Sequence, residues 1–320
     1  MLIFNETGAF ITIPKIMLSV VIPVYNEVQV LPVLLARLKS ALENIGAYEL
    51  IFVDDGSIDH TLQILTQHHQ TDSRIKIIEL SRNFGHQAAI TAGLEHANGE
   101  FIAMMDSDLQ DPPELLPEML EILQQRRFDV VNGFRHHREE ESFRRRFLTR
   151  LFHKIFSNIS GLEEIENTGH FSMINREALN ALLAMKEKTR YIPGLRHYIG
   201  FRQTQIEYSR QERFSGKSKM RFSALFRLAL DAMFAFSRFP LKLCLWLGIT
   251  GVFIFFLAGI HVLLSKFTGW APVGWSSTMI SLYFLGSIQL TFLGVLGEYI
   301  YRTYRESQNR PIYFIRKKYF

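Results

Sequence analysis

The sequence predicts an α/β domain with a mainly parallel sheet, followed by helices that associate with a membrane and cross it. Between residues 18 and about 215, short apolar runs such as LSVVIPVY, ELIFVDD and EFIAMMD alternate with segments of helical periodicity. These runs are continuously apolar, as expected for strands that are covered on both faces. Two stretches without Asp, Glu, Lys or Arg follow, at 243–265 and 267–297. Each exceeds the roughly 20 residues that a membrane-spanning helix needs.

The flanks of these two stretches predict their orientation. The connection KFTGWAPVGW carries one Lys, and Trp270 and Trp275 lie where an interfacial aromatic belt is expected. Basic residues lie outside the pair: Arg227, Arg238 and Lys242 before it, and Arg302, Arg305 and Arg310 after it. The positive-inside rule then predicts a multi-pass membrane protein with the α/β domain and both termini in the cytoplasm. Two buried helices of a soluble domain are the alternative, but such helices rarely lack charge for this long.

Five regions follow from these patterns. They are an N-terminal extension at 1–17, the α/β domain at 18–218, an interfacial amphipathic helix at 219–240, a two-helix transmembrane region at 241–300 and a basic cytoplasmic tail at 301–320. The extension has no signal-peptide pattern, and Met17 is a second candidate start. For 219–240, an ordinary core helix is the open alternative to a helix lying in the membrane interface.

Composition limits the remaining classes of protein. With 320 residues, 48% hydrophobic and 21% charged, the chain is long and apolar enough for a well-buried core, which excludes a disordered protein. Cys244 is the only cysteine, so neither an intramolecular disulfide nor a Cys-based zinc site can form. We expect the membrane as a partner and no nucleic acid. Self-association into a homo-oligomer, which would complete the two-helix region, stays open.

Acidic and turn-forming residues follow three of the predicted strands. They are Tyr25, Asn26 and Glu27; Asp54, Asp55, Gly56 and Ser57; and Asp106, Ser107 and Asp108. Because ligands bind beyond the carboxyl ends of the strands in such a sheet, we expect these residues to share one site. Carboxylates gathered there repel one another unless a cation lies between them, and hard oxygen ligands select Mg²⁺ or Mn²⁺. The alternative for any single acid is that it caps the following helix.

Common phosphate-binding signatures are missing from the sequence. It has neither GxxxxGK[ST] nor a GxGxxG after the first strand, and HExxH is missing as well. A diphosphate would therefore be held chiefly by a metal ion and by basic side chains.

Four segments are specific enough to indicate a family. They read VVIPVYNE, VDDGSIDHT, SRNFGHQAAITAGLEHANGEFIAMMDSDLQDPPE and RFSGKSK. The sequence resembles glycosyltransferase family 2, and specifically its polyprenyl-phosphate glycosyltransferases, which include bactoprenol glucosyltransferases and dolichol-phosphate mannose synthases. The resemblance implies a Rossmann-like GT-A fold and a nucleotide-sugar donor, with UDP-glucose the leading candidate. It also implies an undecaprenyl or other polyprenyl phosphate as acceptor and inverting transfer at the cytoplasmic face of the bacterial inner membrane.

The resemblance assigns roles to particular residues. Those expected to bind the nucleotide sugar are Pro23, Tyr25, Glu27, Asp54, Asp55, Asp106 and Gln110. Asp106 and Asp108 match the DxD acids that hold the metal, and Asp108 is the expected direct ligand. Those expected near the acceptor phosphate are Arg135, Arg138, Arg144, Arg213, Ser215 and Lys217. The expected catalytic residues are Asp106, Asp108, Arg213 and Lys217. The basic run from Arg135 to Lys154 could equally face anionic lipid.

One motif departs from the family pattern. Where many relatives read DTGDF, this chain has Asn167 and His170 in place of the two acids. A phosphate monoester is largely dianionic at neutral pH, so it needs no base to become a nucleophile. Whether Asn167 or His170 replaces a catalytic base stays open, and a contact with the sugar or the acceptor is the other expectation for both.

Two further functions stay open on the sequence alone. A catalytically altered membrane adaptor that binds a nucleotide or a partner would keep the acids for structure, and the altered Asn167 and His170 are compatible with it. A processive polysaccharide synthase would carry a QxxRW signature, which is absent, and two helices make a poor polymer channel.

Overall fold

The computed structural model describes residues 2–4, 10–12, 17–136, 168–188, 190–209, 239–267 and 274–320. The chain divides into two compact units. One unit holds the α/β sheet together with Pro311–Phe320, and the other holds two long helices. The predicted interfacial helix lies outside the described residues, except for its last two residues, which begin the first long helix.

The strands and helices alternate through the first unit, which confirms the predicted α/β class. The strands are β1 (Leu2–Phe4), β2 (Phe10–Thr12), β3 (Leu18–Val24), β4 (Tyr48–Asp54), β5 (Ile75–Leu80), β6 (Phe101–Met104), β7 (Val130–His136), β8 (Thr168–Asn175), β9 (Gln203–Ser209) and β10 (Ile315–Tyr319). The helices of this unit are α1 (Leu31–Leu42), α2 (Thr61–Thr71), α3 (His86–His96), α4 (Leu116–Gln124), α5 (Arg176–Ala184) and α6 (Ile192–Tyr198). A 3₁₀ turn at Pro113–Leu115 precedes α4.

Eight of these strands form one mixed sheet in the order β10-β5-β4-β3-β6-β8-β7-β9. The pairs β3/β4, β3/β6, β4/β5 and β7/β9 are parallel, and the pairs β6/β8, β7/β8 and β10/β5 are antiparallel. Within the N-terminal extension, β1 and β2 form a separate antiparallel pair. The central part of the sheet is therefore parallel, as the continuous apolar runs predicted.

The central strands β3 and β4 are buried along their whole length. Helix α3 packs against β3 at very close range. A Cβ atom on Gly93 would lie 2.3 Å from Val21 Cγ1, so a side chain at this helical position would force the two elements apart.

A topological switch point lies between β3 and β6. The chain passes from β3 to β4 and β5 on one side of the sheet and then returns to β6 on the other side. In an open α/β sheet, ligands bind at such a point, beyond the carboxyl ends of the strands. The loops after β3, β4 and β6 converge there.

A buried carboxylate connects three strands at the opposite, amino end of the sheet. Glu49 Oε1 accepts hydrogen bonds from the Ser19 hydroxyl at 2.5 Å and from the Asn98 N–H at 2.7 Å. Glu49 Oε2 lies 2.6 Å from Lys76 Nζ. Although burial opposes ionisation, these donors hold the pKa of Glu49 below its ordinary value.

The second unit contains α7 (Phe239–Phe267) and α8 (Trp275–Ser307). Among the described residues, one helical stretch, Ser281–Ser307, has the length and composition of a membrane span, and its apolar window is not buried inside the structure. Large apolar side chains of α7, such as Trp246 and Phe256, are exposed as well. One of the two predicted spans therefore has a structural candidate, and the span in α7 stays a prediction.

The segment predicted as a basic tail has a defined structure. Helix α8 runs on to Ser307, and after seven further residues β10 pairs antiparallel with β5 at the edge of the sheet. This strand was not predicted from the sequence.

Candidate active site

The first two loops of the switch point are joined by hydrogen bonds. Asn26, at a φ of 55°, donates its N–H to Ser57 Oγ at 3.0 Å and accepts the Ile58 N–H at 2.9 Å through Oδ1. The Glu27 N–H donates to Thr61 Oγ1 at 2.9 Å. The asparagine side chain thus fixes the loop after β3 against the loop after β4, which is a common use of Asn in left-handed turns.

The sequence-predicted nucleotide residues occupy these two loops. Pro23 is buried within β3, whereas Tyr25 is exposed at the rim and Glu27 is partly buried. Asp54 ends β4, is fully buried and accepts the Ser57 N–H at 3.2 Å. Burial, together with the nearby charges of other acids, raises the pKa of Asp54 above its ordinary value.

Asp55 is the carboxylate that connects β4 to the segment after β5. It is 4% exposed, and its two oxygens accept the N–H groups of Phe84 at 2.7 Å and Gly85 at 2.9 Å. Burial raises the pKa of Asp55 in spite of these two donors. The carboxylate therefore costs solvation free energy and fixes the backbone at the start of α3.

Gly56 allows the turn after β4 to approach the segment after β5 closely. Its φ is 72°, and a Cβ atom there would lie 2.6 Å from the carbonyl carbon of Arg82. Both the backbone conformation and the space therefore require glycine. Residues 81–85, here called the 81–85 loop, pack directly on the turn after β4.

The loop after β6 carries the predicted DxD acids. Asp106 donates its N–H to Asp111 Oδ2 at 3.4 Å, and Asp108 Oδ1 accepts the Gln110 N–H at 3.2 Å. Asp111 is fully buried and also accepts the Tyr208 hydroxyl at 2.6 Å. Gln110 is buried, and Leu109, which lies between Asp108 and Gln110, adopts a φ of 60°. Asp111 thus anchors a tight turn that presents Asp106 and Asp108.

His86, the first residue of α3, faces these acids. Its Nε2 lies 3.2 Å from Asp106 Oδ1. Burial lowers the pKa of His86, but the interactions with Asp106, and to a smaller extent with Asp55 and Asp108, raise it above its ordinary value overall. Three acids from two loops thus act on one imidazole. The SRNFGHQAA motif by itself assigns His86 no role, although the place of this residue after a glycine at a helix start was a usable signal.

His170 lies beside His86 and contacts the Gln87 side chain. The two rings meet edge to face with centroids 4.6 Å apart. Gln87 Nε2 lies 3.2 Å from His170 Nε2, and Gln87 Oε1 accepts the Ile192 N–H at 3.1 Å, which orients the amide. Nδ1 of His170 is buried. The role of His170 as a sugar or acceptor contact stays a prediction.

A buried arginine supports the strand that carries His170. Arg196 is fully buried in α6; its guanidinium donates to Ser172 Oγ and to the Gly169 carbonyl oxygen, the latter at 3.1 Å. Ser172 Oγ in turn donates to the His170 carbonyl oxygen at 2.9 Å. Burial lowers the pKa of Arg196 to about 10. The arginine stays charged at neutral pH and fixes the backbone on both sides of His170.

Several predicted residues cannot be placed. Arg138, Arg144, Asn167, Arg213, Ser215 and Lys217 lie outside the described residues. Arg135 lies in β7, where the backbone alone is described. The acceptor-phosphate residues therefore stay predictions.

The donor set suits a hard divalent cation. Asp106 and Asp108 offer carboxylate oxygens at one turn, and in the described part of the chain no cluster of three or more acidic, His or Cys side chains forms a complete metal cage. Mg²⁺ characteristically takes one or two protein carboxylates and completes its shell with water and substrate phosphates. The two acids thus fit a cation that arrives with a diphosphate.

Comparison with known proteins identifies the class of protein that this fold and site define. Residues 19–183 match the family model described as glycosyl transferase family 2. The chain belongs to this family, its sheet is GT-A-like, and it is a glycosyltransferase.

Relatives match over nearly the whole chain. The protein named uncharacterized glycosyltransferase YkcC of Bacillus subtilis is 39% identical over 306 residues, which is 94% of each chain. The prophage bactoprenol glucosyl transferase homolog of Escherichia coli is 34% identical over 94% of this chain and 98% of its own length. The SfII prophage-derived bactoprenol glucosyl transferase of Shigella flexneri is 35% identical over 94% and 97%, respectively.

Proposed function

We propose that this glycosyltransferase transfers glucose from UDP-glucose to a polyprenyl phosphate, with inversion, at the cytoplasmic face of the membrane. The observation that carries the proposal is the contact between His86 and the DxD acid Asp106, 3.2 Å apart at the switch point of the sheet. Relatives whose names state bactoprenol glucosyl transfer support the choice of sugar and acceptor.

The donor is proposed to lie across the loops after β3 and β4. Tyr25 is exposed at the rim, where its ring can cover a base, and the partly buried Glu27 offers a carboxylate to ribose hydroxyls. The diphosphate then extends toward Asp106 and Asp108. A bound Mg²⁺ or Mn²⁺ would neutralise diphosphate charge there, held by these two acids.

The reaction is a displacement at the anomeric carbon. A phosphate oxygen of the lipid forms the new bond to carbon, and the bond to the diphosphate oxygen breaks with its electron pair leaving on UDP. Because the phosphate is largely dianionic at neutral pH, no proton has to be removed from it. The protein's main contributions are therefore to hold both reactants in line and to offset repulsion between two anions. Arg213 and Lys217 are proposed to supply positive charge for this purpose.

The chain path supports membrane crossings in pairs. Strands β5 and β10 belong to one sheet, although α7 and α8 lie between them in sequence. A chain that leaves one side of a membrane and returns to pair with the same sheet must cross an even number of times. Since Ser281–Ser307 has the character of a span, we propose that α7 supplies the second crossing. Basic residues at both flanks then orient the sheet toward the cytoplasm.

A transfer assay tests the proposal directly. The full chain in detergent or nanodiscs is mixed with radiolabelled UDP-glucose, undecaprenyl phosphate and Mg²⁺ or Mn²⁺, and label is counted in the organic phase. We expect label in the lipid that depends on both the cation and the lipid phosphate. Transfer of another sugar in parallel reactions with UDP-GlcNAc, UDP-galactose or GDP-mannose, and none from UDP-glucose, would refute the choice of donor. No transfer from any of them would refute the proposed reaction.

A further inference from the structure

The C-terminal segment Pro311–Phe320, here called the tail, contacts the end of β5 and the 81–85 loop. The Ser81 N–H donates to the Phe314 carbonyl oxygen at 2.8 Å. Arg316 donates to the Ser81 carbonyl oxygen at 3.1 Å and to Glu79 Oε1 at 3.2 Å. The Phe314 ring lies on that of Phe84, with centroids 6.2 Å apart. Each contact falls at the end of β5 or in the 81–85 loop.

The same loop bears directly on the site. The N–H groups of Phe84 and Gly85 bind the Asp55 carboxylate, and Gly56 packs on the Arg82 backbone. The Arg82 guanidinium lies 4.3 Å from the centre of the Phe84 ring, which is also the ring that Phe314 contacts. His86, which follows the loop as the first residue of α3, lies 3.2 Å from Asp106. The loop is thus a single short segment with the tail on one side and the site acids on the other.

We propose that Phe314, directly before β10, and Arg316, within it, are positioning residues for donor binding, acting through the 81–85 loop. This inference rests on the proposed function for the identity of the donor, but the loop contacts stand without it. Without the tail, the Ser81 backbone loses partners for both its N–H and its carbonyl, and Phe84 loses the ring that restricts it. The 81–85 loop is then open in a larger fraction of molecules, and in the open form its N–H groups no longer hold the Asp55 carboxylate. Donor affinity falls because part of the binding free energy is used to close the loop.

The tail also provides a matched control pair of residues for the variant at Phe314 and Arg316. Lys317 and Phe320 supply one cation and one aromatic ring, as Arg316 and Phe314 do, but Lys317 lies over the Tyr319 ring and Phe320 lies near Lys76 and His96. Neither control residue has a described contact with the 81–85 loop. The double variant Phe314→Ala/Arg316→Ala is therefore compared with Lys317→Ala/Phe320→Ala in the full chain.

Two measurements decide the proposal. Hydrogen exchange of the peptide covering 81–86 should rise about tenfold in the Phe314/Arg316 variant and stay near wild type in the control. The Kd for UDP with Mg²⁺, by calorimetry, should rise about three- to tenfold in the same variant alone. The conservative variant Phe314→Tyr/Arg316→Lys should recover most of both effects. Similar thermal unfolding midpoints in the two double variants would show that global stability is not the cause.

Other outcomes separate this inference from the proposed function. Equal exchange and equal UDP affinity in the two double variants would overturn the positioning role, as would exchange that rises evenly over the whole sheet. Asp55→Asn serves as the reference for the donor site and should weaken UDP binding more than either double variant. If Asp55→Asn binds UDP like wild type, the donor assignment is wrong. Exchange at 81–86 then still reports whether the tail holds the loop.

Discussion

Glu49 and Asp55 lie at opposite ends of the same stretch of chain and are both buried, yet their surroundings differ. Glu49 has a hydroxyl, an amide and a lysine ammonium around it, and its pKa is lowered. Asp55 has two backbone N–H groups, no described cation in direct contact, and a raised pKa. The amino end of β4 thus has compensated charge, whereas the carboxyl end holds acids that lack it.

This difference separates structure from function along one strand. A carboxylate matched by donors stabilises the fold whenever it is ionised. Acids with a raised pKa lower the stability of the folded protein at neutral pH. Such destabilising acids are retained in proteins where ligand binding requires them. The carboxyl end therefore gains most from a cation or a positively charged loop that comes with the substrate.

The largest expected effect is on the metal-facing acid. Asp108→Asn should lower transfer at least about 100-fold, because the expected cation loses a charged ligand. The radiolabel assay described above measures this, with unfolding midpoints to show that the protein is folded. Asp59→Asn is the matched control at the same rim, since Asp59 accepts hydrogen bonds from Thr61 and from the Val28 backbone and has no described contact with the DxD acids. Substantial transfer by Asp108→Asn would remove the metal assignment.

His86→Ala should have the next largest effect. Loss of the imidazole that orients Asp106 should weaken Mn²⁺-dependent UDP binding about tenfold, as measured by calorimetry. His96→Ala, at the other end of α3, is the control, because the His96 imidazole bonds the Ala92 carbonyl oxygen and has no described contact with the DxD acids. Equal affinities in the two variants would show that His86 does not orient the DxD acid.

At the amino end of the sheet, stability should change and activity should not. Glu49→Gln leaves Lys76 without its anion and should cost about 2 kcal/mol, which is about 4–8 °C in the unfolding midpoint. Transfer per folded molecule should match wild type. Glu43→Gln, an exposed acid nearby, is the control. A loss of transfer without a loss of stability would contradict the division between the two ends.

The smallest effect should have the opposite sign. Asp54→Asn removes a buried charge that other acids repel, so the midpoint at pH 7 should rise by about 2–4 °C, or ~1 kcal/mol.

The two ends should also respond differently to pH. Because the folded pKa of Glu49 is lowered, its stabilisation is complete above its ordinary pKa of 4.5 and is lost as the pH falls through the folded value. The folded pKa of Asp54 is raised, so its cost is present at neutral pH and disappears below its ordinary 3.8. Thermal scans from pH 7 to pH 3 should show the deficit of Glu49→Gln and the gain of Asp54→Asn both shrinking in acid. A gain that persists at pH 3 would contradict the charge argument.

Much of the site could be predicted because it follows a local rule. Asp54, Asp55, Asp106 and Asp108 come directly after apolar strands, and parallel strands bring their carboxyl ends together. The role of His86 could not be found this way, since it follows a loop and acts only where α3 turns it toward Asp106.

The edge strand was harder to predict for a different reason. The segment IRKKY is short and mostly charged, and its partner β5 lies about 235 residues earlier in the chain, so no local pattern indicates the pairing. The ion pair between Arg316 of this strand and Glu79 of β5 is visible only in the folded protein.

The position of β10 also sets an order of assembly. The ribosome makes β5 long before β10, and both long helices are synthesised between them. Until β10 arrives, the outer edge of β5 has backbone donors and acceptors open to pairing with other chains. The catalytic sheet is therefore completed only after the hydrophobic helices have been made. A truncated chain that ends within α8 would keep the edge of β5 unpaired and prone to aggregation.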